Sequence, residues 1–150
     1  MVGAVIVYPK KYHDIAKYII ADEVWYDNRC KILWKIVTAM IRKREHVDMI
    51  TVSSNLSEGD YINGVDGVFV VDCTNNCGAS STMEIYASKL YEKYLLRLVV
   101  EITGDLNESA MSNKIDVLDT LVTAHTSIGE LISLRPDSIF DINESLSQAI

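Results

Sequence analysis

Apolar positions recur along most of this chain at the three-and-four spacing of amphipathic helices. The opening run Val2 to Val7 is apolar throughout and closes at Tyr8-Pro9. It is too short for periodicity to separate a buried strand from a buried helical turn. Pro9 can open a helix at its first position, and Tyr12, Ile15, Ala16, Ile19 and Ile20 then follow at helical spacing. Asp27 or Asn28 predicts the cap of the next helix. Its broad apolar face comprises Ile32, Leu33, Ile36, Val37, Met40 and Ile41, with Arg42 to Arg44 closing it. Trp34 lies off the centre of that face, which predicts packing under a neighbouring segment. Asp48 precedes Thr51, Val52 and Leu56, a short helix ended by Ser57-Glu58-Gly59. Between Tyr61 and Gly67 the chain is rich in turn residues. The pair Asn63-Gly64 would suit a hairpin with Val68 to Val71 as a strand, but no convincing partner strand precedes it. A short helix is the expectation there.

The second half is simpler. Cys77 to Ser81 reads as a loop leading to a cap at Ser80, Ser81 or Thr82. Ile85, Tyr86, Leu90, Tyr91, Tyr94, Leu95, Leu98, Val99 and Ile102 fit one long helix ending near Gly104, and a polar break over Asn107 to Asn113 follows. The next long helix carries two apolar stripes. One runs through Ile115, Leu118, Val122, His125, Gly129 and Ile132, the other through Val117, Leu121, Ala124, Ile128 and Leu131. One stripe suffices to pack against the preceding helix in a hairpin. The second must meet the rest of the domain or another subunit. After the break Arg135-Pro136-Asp137, an amphipathic helix is expected over Phe140 to Ile150. The expected fold is therefore all-α: a globular multi-helix head over 1–81, a long antiparallel helical hairpin over 82–134, and the start of a linker helix over 135–150.

Composition agrees and narrows the function. Two prolines and few glycines in 150 residues are too few turn formers for an all-β domain. A formal net charge of −7 argues against autonomous DNA binding, because phosphate neutralisation needs clustered cations. The compact basic cluster Arg42-Lys43-Arg44 reads more readily as a favourable interaction with a helix C-terminus. The three cysteines are too sparse for a disulfide scaffold, and no stretch approaches a membrane span, so a cytoplasmic setting is expected.

Candidate chemistry is thin. Neither G-x-x-x-x-G-K-[ST] nor G-x-G-x-x-G after a strand is present, so nucleotide binding has no sequence support. His13, His46 and His125 are far apart, and His125, within an apolar stripe, reads as a packed histidine rather than a ligand. Cys73 and Cys77 form C-x3-C, read as loop thiols because zinc needs two further ligands. Cys30 lies one turn into a helix without an obvious nearby base. Asp116 and Asp119 read as a solvated helix face, and Tyr86, Tyr91 and Tyr94 as packing residues. No catalytic, cofactor or metal residue is assigned.

Several blocks, in this order, resemble the N-terminal domain of DnaB-type hexameric replicative helicases. Gly3-Ala4-Val5-Ile6-Val7 with Pro9 is similar to that family's opening helix and proline, and Trp25-Tyr26-Asp27-Asn28-Arg29 to its aromatic entry into a central helix. Val47-Asp48-Met49-Ile50-Thr51-Val52, with Leu56, resembles its "D-x-x-T-V" helix, the most specific block. Gly64 and Gly67 match a glycine pair, and Met83 to Arg97 looks like the start of its long hairpin helix. The likeness spans Gly3 to Ile132. It implies a non-catalytic oligomerisation and docking domain whose hairpins pair between subunits within a hexameric ring. Primase and, in some systems, a helicase loader are the partners it implies. ATP and magnesium would belong to a motor domain beyond the linker, not to this chain. The residues expected to carry self-association are Tyr91, Leu95, Leu98, Ile102, Ile115, Leu118, Val122 and Ile132. The alternative is a free-standing helical adaptor or phage regulator resembling the helicase domain or the helicase-binding domain of primase. A phosphate-loop motif encoded downstream of Ile150 would separate the two.

Overall fold

The computed structural model describes residues 1–111 and 116–134. Among these there is no strand, and the fold is all-α. The helices are α1 (Val2–Val7), α2 (Tyr12–Ala16), α3 (Asn28–Arg42), α4 (Met49–Ser54), α5 (Glu58–Ile62), α6 (Gly67–Asn75), α7 (Met83–Met111) and α8 (Val117–Ser133). Short 3-10 turns stand at Pro9–Lys11, Asp22–Val24 and Ser80–Thr82. The chain divides into two compact units, Met1–Tyr94 and Leu95–Ile150.

The head is built around α1. Val2, Ala4, Val5 and Ile6 are all buried, because α6, α3 and α4 each pack against this short helix. A helix apolar on every side is stable only when surrounded, which is why Val2–Val7 lacks the one-sided pattern that would have classified it. Closest packing is against α6. A methyl group at Gly3 would overlap the backbone carbonyl of Cys73 and stand 2.8 Å from the Thr74 nitrogen. Only hydrogen fits there.

Helix ends follow the cap chemistry of the sequence. The Asp27 carboxylate accepts from the Arg29 backbone N–H at 2.8 Å, and the Arg29 guanidinium grips it at 2.8 Å. At α4 the Asp48 carboxylate accepts from Thr51 N–H at 2.7 Å while the Thr51 hydroxyl accepts from Asp48 N–H at 2.9 Å, a reciprocal box. Ser57, expected only to end α4, also starts α5, because Ser57 and Asp60 form a second such box. Asn63-Gly64 closes α5 instead of making a hairpin. Gly64 takes φ +77°, and the Val65 N–H reaches back to the Asp60 carbonyl at 2.9 Å, the six-to-one bond of a left-handed helix stop. Asp66 then caps α6 by accepting from Phe69 N–H at 2.8 Å, so Val68 to Val71 is helical as expected.

Three expectations change. The helix expected through Ile20 stops at Ala16, leaving Ile19 and Ile20 in irregular backbone. Cys73 belongs to α6 and not to a loop. The long helix does not end near Gly104 but continues to Met111, through Asn107. Gly104 keeps an ordinary helical φ; a mid-helix glycine weakens a helix by about 1 kcal/mol without breaking it. The expected linker helix, Phe140 to Ile150, lies outside the described residues, as does Ile115.

The first part of α7 belongs to the head. Met83, Ala87, Tyr91 and Tyr94 are buried at helical spacing, with the Tyr91 and Tyr94 rings 6.1 Å apart. Glu84 fastens that turn: it accepts from Lys17 at 2.6 Å and from the Tyr18 hydroxyl at 3.2 Å. Trp34, off the main face of α3, lies between Trp25 and Tyr12 at centroid distances of 5.4 and 5.6 Å.

Candidate functional site

The second unit inverts the usual placement of apolar residues. In α8, with the Leu134 cap, the positions that recede from solvent are Thr120, Ala124, Ser127, Leu131 and Leu134. They form one seam at alternating spacings of four and three, as expected of a helix packed along a single neighbour. This seam is mostly small or polar. The larger side chains face outward: Val117, Leu118, Leu121, Val122, Ile128 and Ile132 are 50–71% exposed, and no α8 residue is buried. In α7 beyond Tyr94, Leu95, Leu98, Ile102 and Leu106 are half-buried, while Leu96, Val99 and Val100 are exposed.

Polar groups on α8 are largely engaged within the helix. Asp116 accepts from Leu118 N–H at 3.0 Å, and the hydroxyls of Thr120, Thr123 and Thr126 donate back to carbonyls one turn earlier at 3.2, 2.8 and 2.9 Å. Within α8 the charged residues are Asp119 and Glu130, with no Lys or Arg. The outward surface is an apolar strip with a sparse acidic border. Such a strip is chemically suited to burial against another apolar surface.

The residues expected to carry self-association are thus distributed over different environments. Leu118, Val122 and Ile132 lie on the exposed strip, and Leu95, Leu98 and Ile102 are half-buried on α7. Tyr91 is a correction: it is fully buried in the head and presents no surface to a second subunit. Its ring continues the heptad register of α7, so periodicity alone could not separate it from Leu95. Leu96, Val99 and Val100 were not singled out as a surface. The signal was the run Leu95 to Ile102, apolar over more of the helix than one seam can cover. His125 is also corrected: it is exposed on α8 rather than packed.

The head adds a juxtaposition that sequence spacing hid. The thiols of Cys30, in the first turn of α3, and Cys73, on α6, are neighbours. Stabilisation of the Cys30 thiolate by the Cys73 thiol lowers its pKa to about 7 against the opposing effect of burial, while Cys73 is raised as the donor. Both are free cysteines. Among the described residues no three His, Cys, Asp or Glu side chains gather as a metal site. No described helix is long and apolar enough to cross a membrane.

Comparison with known proteins is consistent across sequence and fold. The family model described as "DnaB-like helicase N terminal domain" matches residues 1–92. The chain is 24% identical over 141 residues to the replicative DNA helicase DnaC of Bacillus subtilis, covering 93% of this chain and 31% of that protein. It is 23% identical over 104 residues to the replicative DNA helicase DnaB of Rhodothermus marinus, covering 69% of this chain and 11% of that protein. The chain therefore spans about a third or less of the curated relatives it matches. In fold it is similar to the crystal structure of the N-terminal domain of DnaB helicase from Mycobacterium tuberculosis, with a TM-score of 0.75 at 17% identity, covering 86% of this chain and 91% of that one.

Proposed function

The chain belongs to the family of DnaB-like helicase N-terminal domains, and from that premise we propose that it is a non-catalytic assembly and partner-docking domain of a cytoplasmic replicative helicase. Self-association through the helical hairpin is the central part of the reading. The observation that carries it is the exposed apolar strip of α8, Val117, Leu118, Leu121, Val122, Ile128 and Ile132. Covering such a half-exposed side chain is worth roughly 1–2 kcal/mol. Association costs about 4–15 kcal/mol, which burial of several such side chains on each partner can offset. In the parent protein such pairs would be elements of a hexameric ring. Primase and, where one exists, a helicase loader are the docking partners. ATP and magnesium belong to the motor domain of that parent.

The test is sedimentation equilibrium of the wild type and of the double variant Leu118→Asp with Val122→Asp, from low to high micromolar concentration. Both positions are more than 60% exposed, so far-UV circular dichroism should match between the two proteins. The wild type is expected to shift from monomer to dimer with concentration, and the variant to stay monomeric. A wild type that is strictly monomeric at high micromolar concentration would overturn self-association by this chain.

A further inference from the structure

Cys30 and Cys73, which the assembly reading leaves unused, both lie within the Met1–Tyr94 unit and do not depend on the hairpin. Cys30 stands in the first turn of α3 and Cys73 in the last turn of α6. The helices that carry them are held together by contacts of their own. The Arg29 guanidinium, on the residue before Cys30, lies over the Phe69 ring at 4.7 Å. Phe69 and Cys73, four residues apart, share one face of α6. The Cys73 carbonyl is seated so closely against Gly3 of α1 that a methyl group there would overlap it, and α1 packs on α3 as well as on α6. Three helices thus bring the two thiols together.

Neither thiol is sealed in the core. Both are half-buried, which leaves them open to an oxidant as small as hydrogen peroxide, whereas a fully buried thiol is inert. Their protonation also differs. The Cys73 thiol lowers Cys30 to about 7 against the opposing effect of burial, and the N-terminal turn of a helix favours the same anion. Cys73 is raised, first by the Cys30 thiolate and then by burial. At neutral pH one sulfur is therefore a nucleophile while its neighbour keeps its proton. That is the division between an attacking and a resolving thiol. Oxidation of Cys30 consumes the thiolate that raises Cys73, and so releases Cys73 for a second step.

We propose that Cys30 and Cys73 are a peroxide-oxidised thiol pair that closes into a disulfide joining α3 to α6. The Cys30 thiolate attacks one oxygen of hydrogen peroxide. An S–O bond forms as the O–O bond breaks, and the departing hydroxide takes up a proton to become water. The Cys73 sulfur then attacks the sulfur of the Cys30 sulfenic acid. The S–S bond forms as the S–O bond breaks, and the Cys73 proton leaves with the hydroxyl as a second water. Each cysteine sulfur gives up one electron and the peroxide gains both. The bond closes a loop that contains α4 and α5, so the oxidised head should melt higher than the reduced head.

The experiment treats the full chain with hydrogen peroxide at neutral pH, with and without dimedone, and follows intact mass. Wild type should lose two hydrogens, and dithiothreitol should restore them. In its tryptic digest the Cys30-Lys31 dipeptide should stay linked to the peptide from Glu45 to Lys89. Cys73 and Cys77 share that peptide, because no Lys or Arg lies between Arg44 and Lys89, so serine variants assign the bond. Cys77→Ser should oxidise like wild type. Cys73→Ser should form no disulfide and should accumulate a dimedone adduct on Cys30. Cys30→Ser should slow oxidation by roughly tenfold or more, since a thiol of ordinary pKa 9.0 is only about 1% thiolate at neutral pH against about half for Cys30. A disulfide forms only where the Cα atoms lie within about 7 Å, so the bond also reads the geometry. Dimedone capture of wild-type Cys30 with no disulfide formed in its absence would overturn the proposal. So would a disulfide that Cys77→Ser abolishes, one that survives Cys30→Ser at the wild-type rate, or one found solely between chains on a non-reducing gel.

Discussion

Gly3→Ala sets two physical effects of opposite sign against each other. Alanine is favoured over glycine in a helix interior by about 0.8–1 kcal/mol, so propensity alone would make the variant more stable. Packing opposes it. The added methyl would overlap the Cys73 carbonyl of α6 and stand 2.8 Å from the Thr74 nitrogen. Both obstacles are backbone, which cannot rotate away as a side-chain tip can. Relief requires α1 to lift from α6 by on the order of 1 Å, loosening Val2, Val5 and Ile6, all at most 3% exposed. Overpacking of a well-filled core costs about 1–3 kcal/mol, occasionally more, and a backbone obstacle belongs at the top of that range. The net expectation is a loss of roughly 2 kcal/mol or more after the propensity gain. Urea unfolding followed by tryptophan fluorescence reads it, since Trp25 and Trp34 are both buried in the same unit. Gly129→Ala supplies the control. Nothing lies within 4 Å of its added methyl, so propensity acts alone and α8 should gain up to about 1 kcal/mol, read as increased helicity and a later thermal transition. A Gly3→Ala variant within about 0.5 kcal/mol of wild type, the usual span of a surface change, would refute the close α1–α6 packing.

Asp48→Ala removes both acceptor bonds of the α4 cap and should lower the Tm at pH 7 by a few degrees. The Thr51 N–H bond holds the Asp48 carboxyl below its ordinary 3.8. Its contribution is therefore complete above that value and fades as pH falls through the folded pKa. Melts between pH 7 and pH 2 should show the wild-type and variant curves converging only on the acid side, and a constant gap would contradict this. Cys30, with a pKa of about 7, should be alkylated by iodoacetamide with a pH midpoint near 7, read by peptide mapping. Cys73→Ala should move that midpoint up toward 9.0, the ordinary thiol value; an unchanged midpoint would mean that Cys73 does not set it.

Local chemistry explains what the chain made legible without a structure. Cap residues act on backbone donors two or three positions away, so Asp27 and Asp48 mark the starts of α3 and α4 in one dimension. The even spacing of apolar residues likewise marks α7 and α8. Even the surplus stripe on α8 is a property of periodicity alone. What needed three dimensions is everything that depends on a distant neighbour. Ser57 and Asn63-Gly64 carry turn chemistry that serves equally to end a helix, restart one or close a hairpin, and the packing around them selects among these. Tyr91 and Leu95 share a register, but Tyr91 is fully buried and Leu95 only half-buried. Cys30 and Cys73 meet only because α3 and α6 are both held against the head. On α8 the seam turned out to be the small and polar row, Thr120, Ala124 and Ser127, leaving the larger apolar side chains outside. Periodicity reports how many faces a helix must cover; which neighbour covers each is decided by tertiary packing, because burial depends on the shape of the partner as well as on the side chain.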